Sequence, residues 1–124
     1  MSDSPKVVEM NSANDLTKGG VKHDQGKVQV ELLSPVAMNK IGDVLTFGAK
    51  KYASHNWRKG MAWSRLLGAA MRHIFAYLGG QDKDPESGLS HLAHAGCCIM
   101  FLLEFEETHR HLDDRYKIED KTPK

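Results

Sequence analysis

Between Leu92 and Leu103 the chain reads LAHAGCCIMFLL, in which only His94 is neither apolar nor small. Twelve residues are too few to cross a bilayer, which takes roughly 18 or more. The stretch is therefore a soluble helix that needs cover on more than one side. A helix on the outside of a three-helix monomer keeps one polar face, and this one has none. The spare face requires either a second copy, most simply through two-fold pairing, or the extended residues 21–33 laid over it within one chain.

The rest of the chain is organised around that helix. At 124 residues it is one domain with a modest core. We divide it into a flexible polar arm over residues 1–20, a folded domain over residues 21–115 and a polar tail over residues 116–124. Val21 to Leu33 is extended; KVQVEL alternates like a strand but has no partner strand. Ser34-Pro35 starts a first helix, cap followed by proline. Its expected core face is Val36, Met38, Ile41, Val44, Leu45 and Gly48. A loop over residues 52–62 leads to a second helix, Ser64 to Leu78, with the expected apolar stripe Leu67, Ala70, Met71, Ile74, Phe75 and Leu78. Gly79-Gly80 ends it. An acidic loop follows, and Ser87 is the expected cap of a third helix running from about Gly88 to Arg110. The fold class is all-α: a small bundle of three main helices with an extended N-terminal segment, completed by oligomerisation.

Charge and composition narrow the function. Lys plus Arg is 17 against 16 for Asp plus Glu, a formal net charge of +1. That balance argues against a non-specific partner for nucleic acid polymers and against a membrane surface, but leaves room for a small anion held by a local basic cluster. Adjacent Cys97 and Cys98 are poorly placed to pair with each other and fit a reducing, cytoplasmic setting.

The candidate chemistry lies between Ala69 and Ala95. His91 and His94, three residues apart, share a helical face. Asp82, Asp84 and Glu86 lie in the loop before them, and His73 lies on the preceding helix. Imidazoles and carboxylates so arranged can converge on a divalent cation; the plainer alternative is a solvated helix start. Two further segments carry binding chemistry. Lys22, Asp24 and Lys27 surround the turn-forming Gly26, an arrangement suited to a phosphate or simply to a solvated turn. Asn56, Trp57, Arg58 and Lys59 offer an aromatic, an amide and cations, suited to a nucleobase, although Trp57 alone reads equally as a core plug. Glu104, Glu106 and Glu107 lie at least ten residues beyond His94, roughly 15 Å along the axis, and read as a solvated face.

Taken together, Lys22-x-Asp24-x-Gly26-Lys27, Phe47-Gly48-Ala49-Lys50-Lys51-Tyr52, Asn56-Trp57-Arg58-Lys59-Gly60, Ala70-x-Arg72-His73 and Asp84-Pro85-Glu86-Ser87-Gly88-Leu89-x-His91-Leu92-Ala93-His94-Ala95 resemble the dATP/dGTP diphosphohydrolase N-terminal domain family of phages and prophages. That family is related to MazG-like nucleotide pyrophosphohydrolases. The resemblance spans about residues 20–105. It implies an all-α fold, a homo-oligomer (a dimer or an assembly of dimers), a nucleotide ligand and a cytoplasmic location, in the host if phage-encoded. It also implies metal-dependent hydrolysis of a purine deoxynucleoside triphosphate to monophosphate and pyrophosphate.

The chain departs from the MazG-like pattern: Glu104-x-x-Glu107 is its only ExxE, and no ExxD follows. The role of those acids then falls to Asp84, Glu86, His91 and His94, with His73 beside them as a further metal ligand. Glu86 is the expected base or bridging carboxylate and Asp84 the second catalytic carboxylate. Lys51, Arg58 and Arg72 would hold the polyphosphate, Lys22, Asp24 and Lys27 would close over it, and Asn56 and Trp57 would face the base. Carboxylates suit Mg²⁺ or Mn²⁺, and imidazoles shift the preference toward Mn²⁺, Zn²⁺ or Co²⁺. The missing acid motif also fits an alternative, a non-catalytic protein that sequesters a nucleotide or a nucleotide-derived signal.

Overall fold

The computed structural model describes residues 19–119. The arm expected over residues 1–20 lies almost wholly outside the described residues, as does the end of the tail. The chain divides into an N-terminal unit ending at Leu32 and a helical unit beginning at Leu33. In the first, the Lys27 amide donates to the Asp24 carbonyl at 3.1 Å and closes a turn. Gly26 in that turn has φ +84, the left-handed region that glycine tolerates best. KVQVEL forms no strand; it ends in a single 3-10 turn, Val30–Leu32.

The helical unit has three helices and no strand among the described residues. Helix α1 is Pro35–Lys51, and the Ser34 hydroxyl accepts the Ala37 amide as the Ser-Pro start predicts. Helix α2 is Trp63–Leu78. Helix α3 is His91–Thr108, capped by Ser90 rather than Ser87. The apolar helix is central: α3 packs against both α1 and α2. On the α1 side Val44, Ala93 and Cys97 form one core, flanked by Ile41, Leu45, Leu89 and Phe101. Gly96 permits the close approach, since a Cβ there would lie 3.2 Å from Ile41 Cδ1. On the α2 side Trp63, Leu66 and the fully buried Phe105 form a second core.

Several faces differ from expectation. On α2 the buried residues are Trp63, Leu66 and Ala70, while Met71, Ile74, Phe75 and Leu78 are exposed. The apolar side chains of this helix run round more than one face, and Trp63, outside the expected span, draws the buried face toward itself. On α3 Leu92, Ile99 and Leu103 are exposed, because α1 and α2 occupy the two sides around Ala93, Ala95, Cys97 and Phe105. Val36 and Met38 of α1 are also exposed.

The chain after α3 is anchored to the start of α2. The Asp114 carboxylate accepts from the Ser64 amide at 2.8 Å and from its hydroxyl at 2.6 Å. It thus takes the place of a cap for α2, whose own cap position is Ala62. Ser64, where the helix was expected to begin, lies one residue inside it. Arg110 and Arg115 lie over the Trp63 ring at 5.3 and 5.1 Å. No helix among the described residues is long and apolar enough to cross a membrane.

Candidate functional site

The end of α2, the loop after it and the first turn of α3 form one polar centre. The chain leaves α2 at Gly79-Gly80 and returns at Ser90, where Lys83 and Ser90 make a single antiparallel bridge. Asp84 organises the loop: its amide donates to the Leu89 carbonyl, and its Oδ1 accepts the amides of Glu86 and Ser87 at 2.8 and 3.2 Å. The His91 amide donates to the Asp82 carbonyl at 2.9 Å and ties the start of α3 to the start of the loop.

His73, Asp84 and His91 each bring a ligand atom to within 4.8 Å of one another. His73 Nδ1 lies 2.8 Å from His91 Nδ1 and 3.8 Å from Asp84 Oδ2. Two imidazole nitrogens and one carboxylate oxygen fit a divalent ion that tolerates nitrogen. Burial lowers the His73 pKa, aided by the nearby His94 and opposed by Asp84; burial likewise lowers that of His94. Burial pushes the Asp84 carboxyl up, but the Glu86 and Ser87 amides and the His94 and His73 rings outweigh it, so its pKa falls below the ordinary value. Neutral imidazoles and an ionised carboxylate are the forms a metal takes up.

The other expected ligands are placed differently. His94 stacks on His73 with ring centres 4.6 Å apart, and its Nε2 bonds to the Ser87 hydroxyl at 2.7 Å. Glu86 points to Lys51, with which it pairs at 2.5 Å. Asp82 takes part through its carbonyl.

A cavity of about 800 Å³ opens beside this centre. His73, Asp84, Glu86, His94 and Lys51 stand on its wall, as do Asn56, Trp57 and Arg58 from the loop before α2. The Trp57 ring stacks on Phe101 at 4.3 Å and carries the Arg58 guanidinium over it at 4.6 Å. Arg58 also bonds to His55 and pairs with Glu104 at 3.2 Å, so Glu104 is a partner in the site rather than a free surface acid. Arg72 is exposed and does not line the cavity. Lys22, Asp24 and Lys27 belong to the N-terminal unit, where Asp24 and Lys27 line a hollow of about 390 Å³ made by residues 24–31.

Gln81, whose Oε1 lies 2.7 Å from His91 Nε2, and the cavity walls Cys97, Cys98 and Phe101 have no site role in the sequence pattern. Nothing in an apolar run marks which members face a cavity. Gln81 carries no signal beyond its place after Gly79-Gly80. Both thiols are pushed up by burial, Cys97 to about 12, which disfavours the thiolate form of each.

No solved structure matches this chain. A curated relative, the "dATP/dGTP diphosphohydrolase" of Salmonella phage PMBT28, is 38% identical over 96 residues, which is 77% of this chain and 33% of the relative. The chain thus spans about a third of that relative's length. The family model described as "dATP/dGTP diphosphohydrolase, N-terminal" matches residues 17–115. The order of motifs, the all-α fold and this match agree, and the chain belongs to the dATP/dGTP diphosphohydrolase N-terminal family.

Proposed function

We propose that this domain hydrolyses a purine deoxynucleoside triphosphate to the monophosphate and pyrophosphate, using a divalent metal held by His73, Asp84 and His91. The observation that carries this reading is one cavity with the His73–Asp84 wall beside Lys51 and the Asn56–Arg58 segment. The activity in the relative's name supports it. The donor set favours Mn²⁺ or Co²⁺ over Mg²⁺, which prefers oxygen ligands.

Hydrolysis joins a water oxygen to the α-phosphorus and breaks its bond to the oxygen bridging to the β-phosphorus. The water proton goes to a base, and pyrophosphate leaves. A bound metal would supply charge neutralisation and acidify the water. Glu86 is the base. In the free chain its carboxylate is held by Lys51; an incoming polyphosphate competes for that ammonium and releases the carboxylate beside the scissile bond. Arg58 supplies the second cation by exchanging Glu104 for phosphate. Asn56 reads the base. Trp57, covered by Phe101 and Arg58, supports this wall rather than offering an open stacking face.

The exposed apolar side chains Met71, Ile74, Phe75 and Leu78 of α2 and Leu92, Ile99 and Leu103 of α3 support the further proposal that the working form is a dimer or an assembly of dimers. Sedimentation equilibrium tests it, and a mass near 14 kDa would refute it.

The presence of a single carboxylate in the metal cluster favours a second reading, a nucleotide-sequestering protein. Incubation with dATP and dGTP in Mn²⁺, with products resolved chromatographically, separates the two. Monophosphate plus pyrophosphate supports hydrolysis; tight binding with no product supports sequestration.

A further inference from the structure

His91 is 4% exposed, and among the described residues it is the one buried polar or charged side chain. Both of its ring nitrogens are engaged. Nε2 lies 2.7 Å from Gln81 Oε1, and Nδ1 lies 2.8 Å from His73 Nδ1. A neutral imidazole has one N–H and one lone pair, and an amide oxygen can only accept. With Gln81 Oε1 as the acceptor, a neutral His91 would carry its proton on Nε2 and turn its Nδ1 lone pair toward His73 and Asp84.

We propose that Gln81 is a positioning residue for the centre: by accepting the Nε2 proton of His91 it fixes the tautomer that turns a bare Nδ1 toward His73 and Asp84. The inference rests on the metal-binding reading above and deepens it. Metal-bound histidines characteristically donate their other N–H to a carbonyl or carboxylate, which orients the ring and raises its basicity. Gln81 is well held for the task. Its amide donates to the Ala76 carbonyl at 3.0 Å at the end of α2, and the neighbouring Asp82 carbonyl holds the His91 amide. Two chain segments ten residues apart in sequence are thereby clamped at both the main chain and the side chain.

That tautomer of His91 would let the His73 Nδ1–H donate to its Nδ1 lone pair across 2.8 Å. A bound ion would be held by His91 Nδ1, the Asp84 carboxylate and His73 Nδ1, the last of these in its Nε2–H tautomer. His91 needs no change, because Gln81 has already selected its tautomer.

The test uses the whole chain labelled with ¹⁵N-histidine, read by long-range ¹H–¹⁵N NMR without metal and then by calorimetry with Mn²⁺. Wild type is expected to show His91 as the Nε2–H tautomer. Gln81→Leu, which keeps the volume and removes the acceptor, is expected to lose that preference and bind Mn²⁺ about tenfold more weakly or worse. Gln81→Glu, which restores an acceptor, is expected to recover both. A wild-type His91 found as the Nδ1–H tautomer overturns the proposal, and so does a Gln81→Leu chain with unchanged tautomer and affinity. The first readout needs no metal, so the two readings fail separately. A Gln81-dependent Nε2–H tautomer in a chain that takes up no Mn²⁺ overturns the metal centre itself and leaves Gln81 as a structural partner only.

Discussion

The two ends of α3 bury very different things. At the start, His91 and His94 meet His73, Asp84, Ser87 and Gln81 through hydrogen bonds and ring contacts. At the far end, Phe105 is completely enclosed beside Trp63 and Leu66, with Trp57 and Leu112 around them. The aromatic end gains free energy from apolar area removed from water. The histidine end gains little net, because hydrogen bonds there replace bonds to water. What the second end secures is geometry. One end of the helix holds the fold and the other holds the chemistry, and they should answer differently to substitution.

The largest effect should come from the aromatic end. Phe105→Ala should cost about 3–5 kcal/mol of unfolding free energy, the scale of emptying a fully packed aromatic site. Urea denaturation measures it, and a loss near zero would deny that this end carries the fold. Trp57→Ala should cost less, because Trp57 is only half-buried, and should weaken nucleotide binding mainly by releasing Arg58. Unchanged stability with lost binding would instead return Trp57 to an open base-stacking role.

The histidine end should respond the other way. His91→Ala should abolish measurable Mn²⁺ uptake, whereas His94→Ala should weaken it about tenfold, since His94 acts by supporting the His73 ring and not as one of the three converging ligands. Equal losses in the two variants, read by calorimetry, would make His94 a direct ligand. Glu86→Gln should abolish turnover while leaving Mn²⁺ uptake and folding in place, because its carboxylate is exposed and lies outside the cluster.

Acid should separate the regions as well. His73 and His94 have folded pKa values below their ordinary 6.5, so the unfolded chain takes up protons first. Their contribution is present above 6.5 and is lost as pH falls below it. The Asp114 cap behaves as a carboxylate: its pKa is lowered by the Ser64 hydroxyl and amide, so its contribution holds above the ordinary 3.8 and disappears as pH falls through the lower folded value. Asp114→Ala should therefore give a small drop in Tm at neutral pH that vanishes in acid, and the same drop at every pH would separate the cap from its charge.

These contrasts also mark what could be read from residues alone. The run from Leu92 to Leu103, apolar or small but for His94, announces a helix needing cover on several sides, and α3 is central. The Ser34-Pro35 start was legible because a cap depends on neighbours in sequence. The convergence of His73, Asp84 and His91 was legible in kind, since the residue types were adjacent in the chain. Which of Glu86, His91 and His94 would converge was not, because that depends on how the Asp84 loop folds. Ring stacking also turns His94 aside in a way that spacing does not encode. The apolar stripe expected on α2 matches the buried face only at Ala70 for a related reason: with apolar residues on more than one face, periodicity cannot choose the face that Trp63 and Phe105 draw inward. The capping of α2 by Asp114 joins residues fifty apart and leaves no local signal.

The most direct test of the central claim is a Co²⁺ titration of the whole chain followed by visible absorption, compared with His91→Ala. The expected result is a set of ligand-field bands that saturates at one ion per chain and is absent from the variant. A wild-type spectrum indistinguishable from Co²⁺ in buffer, or bands that persist unchanged in His91→Ala, would contradict a metal centre built from His73, Asp84 and His91.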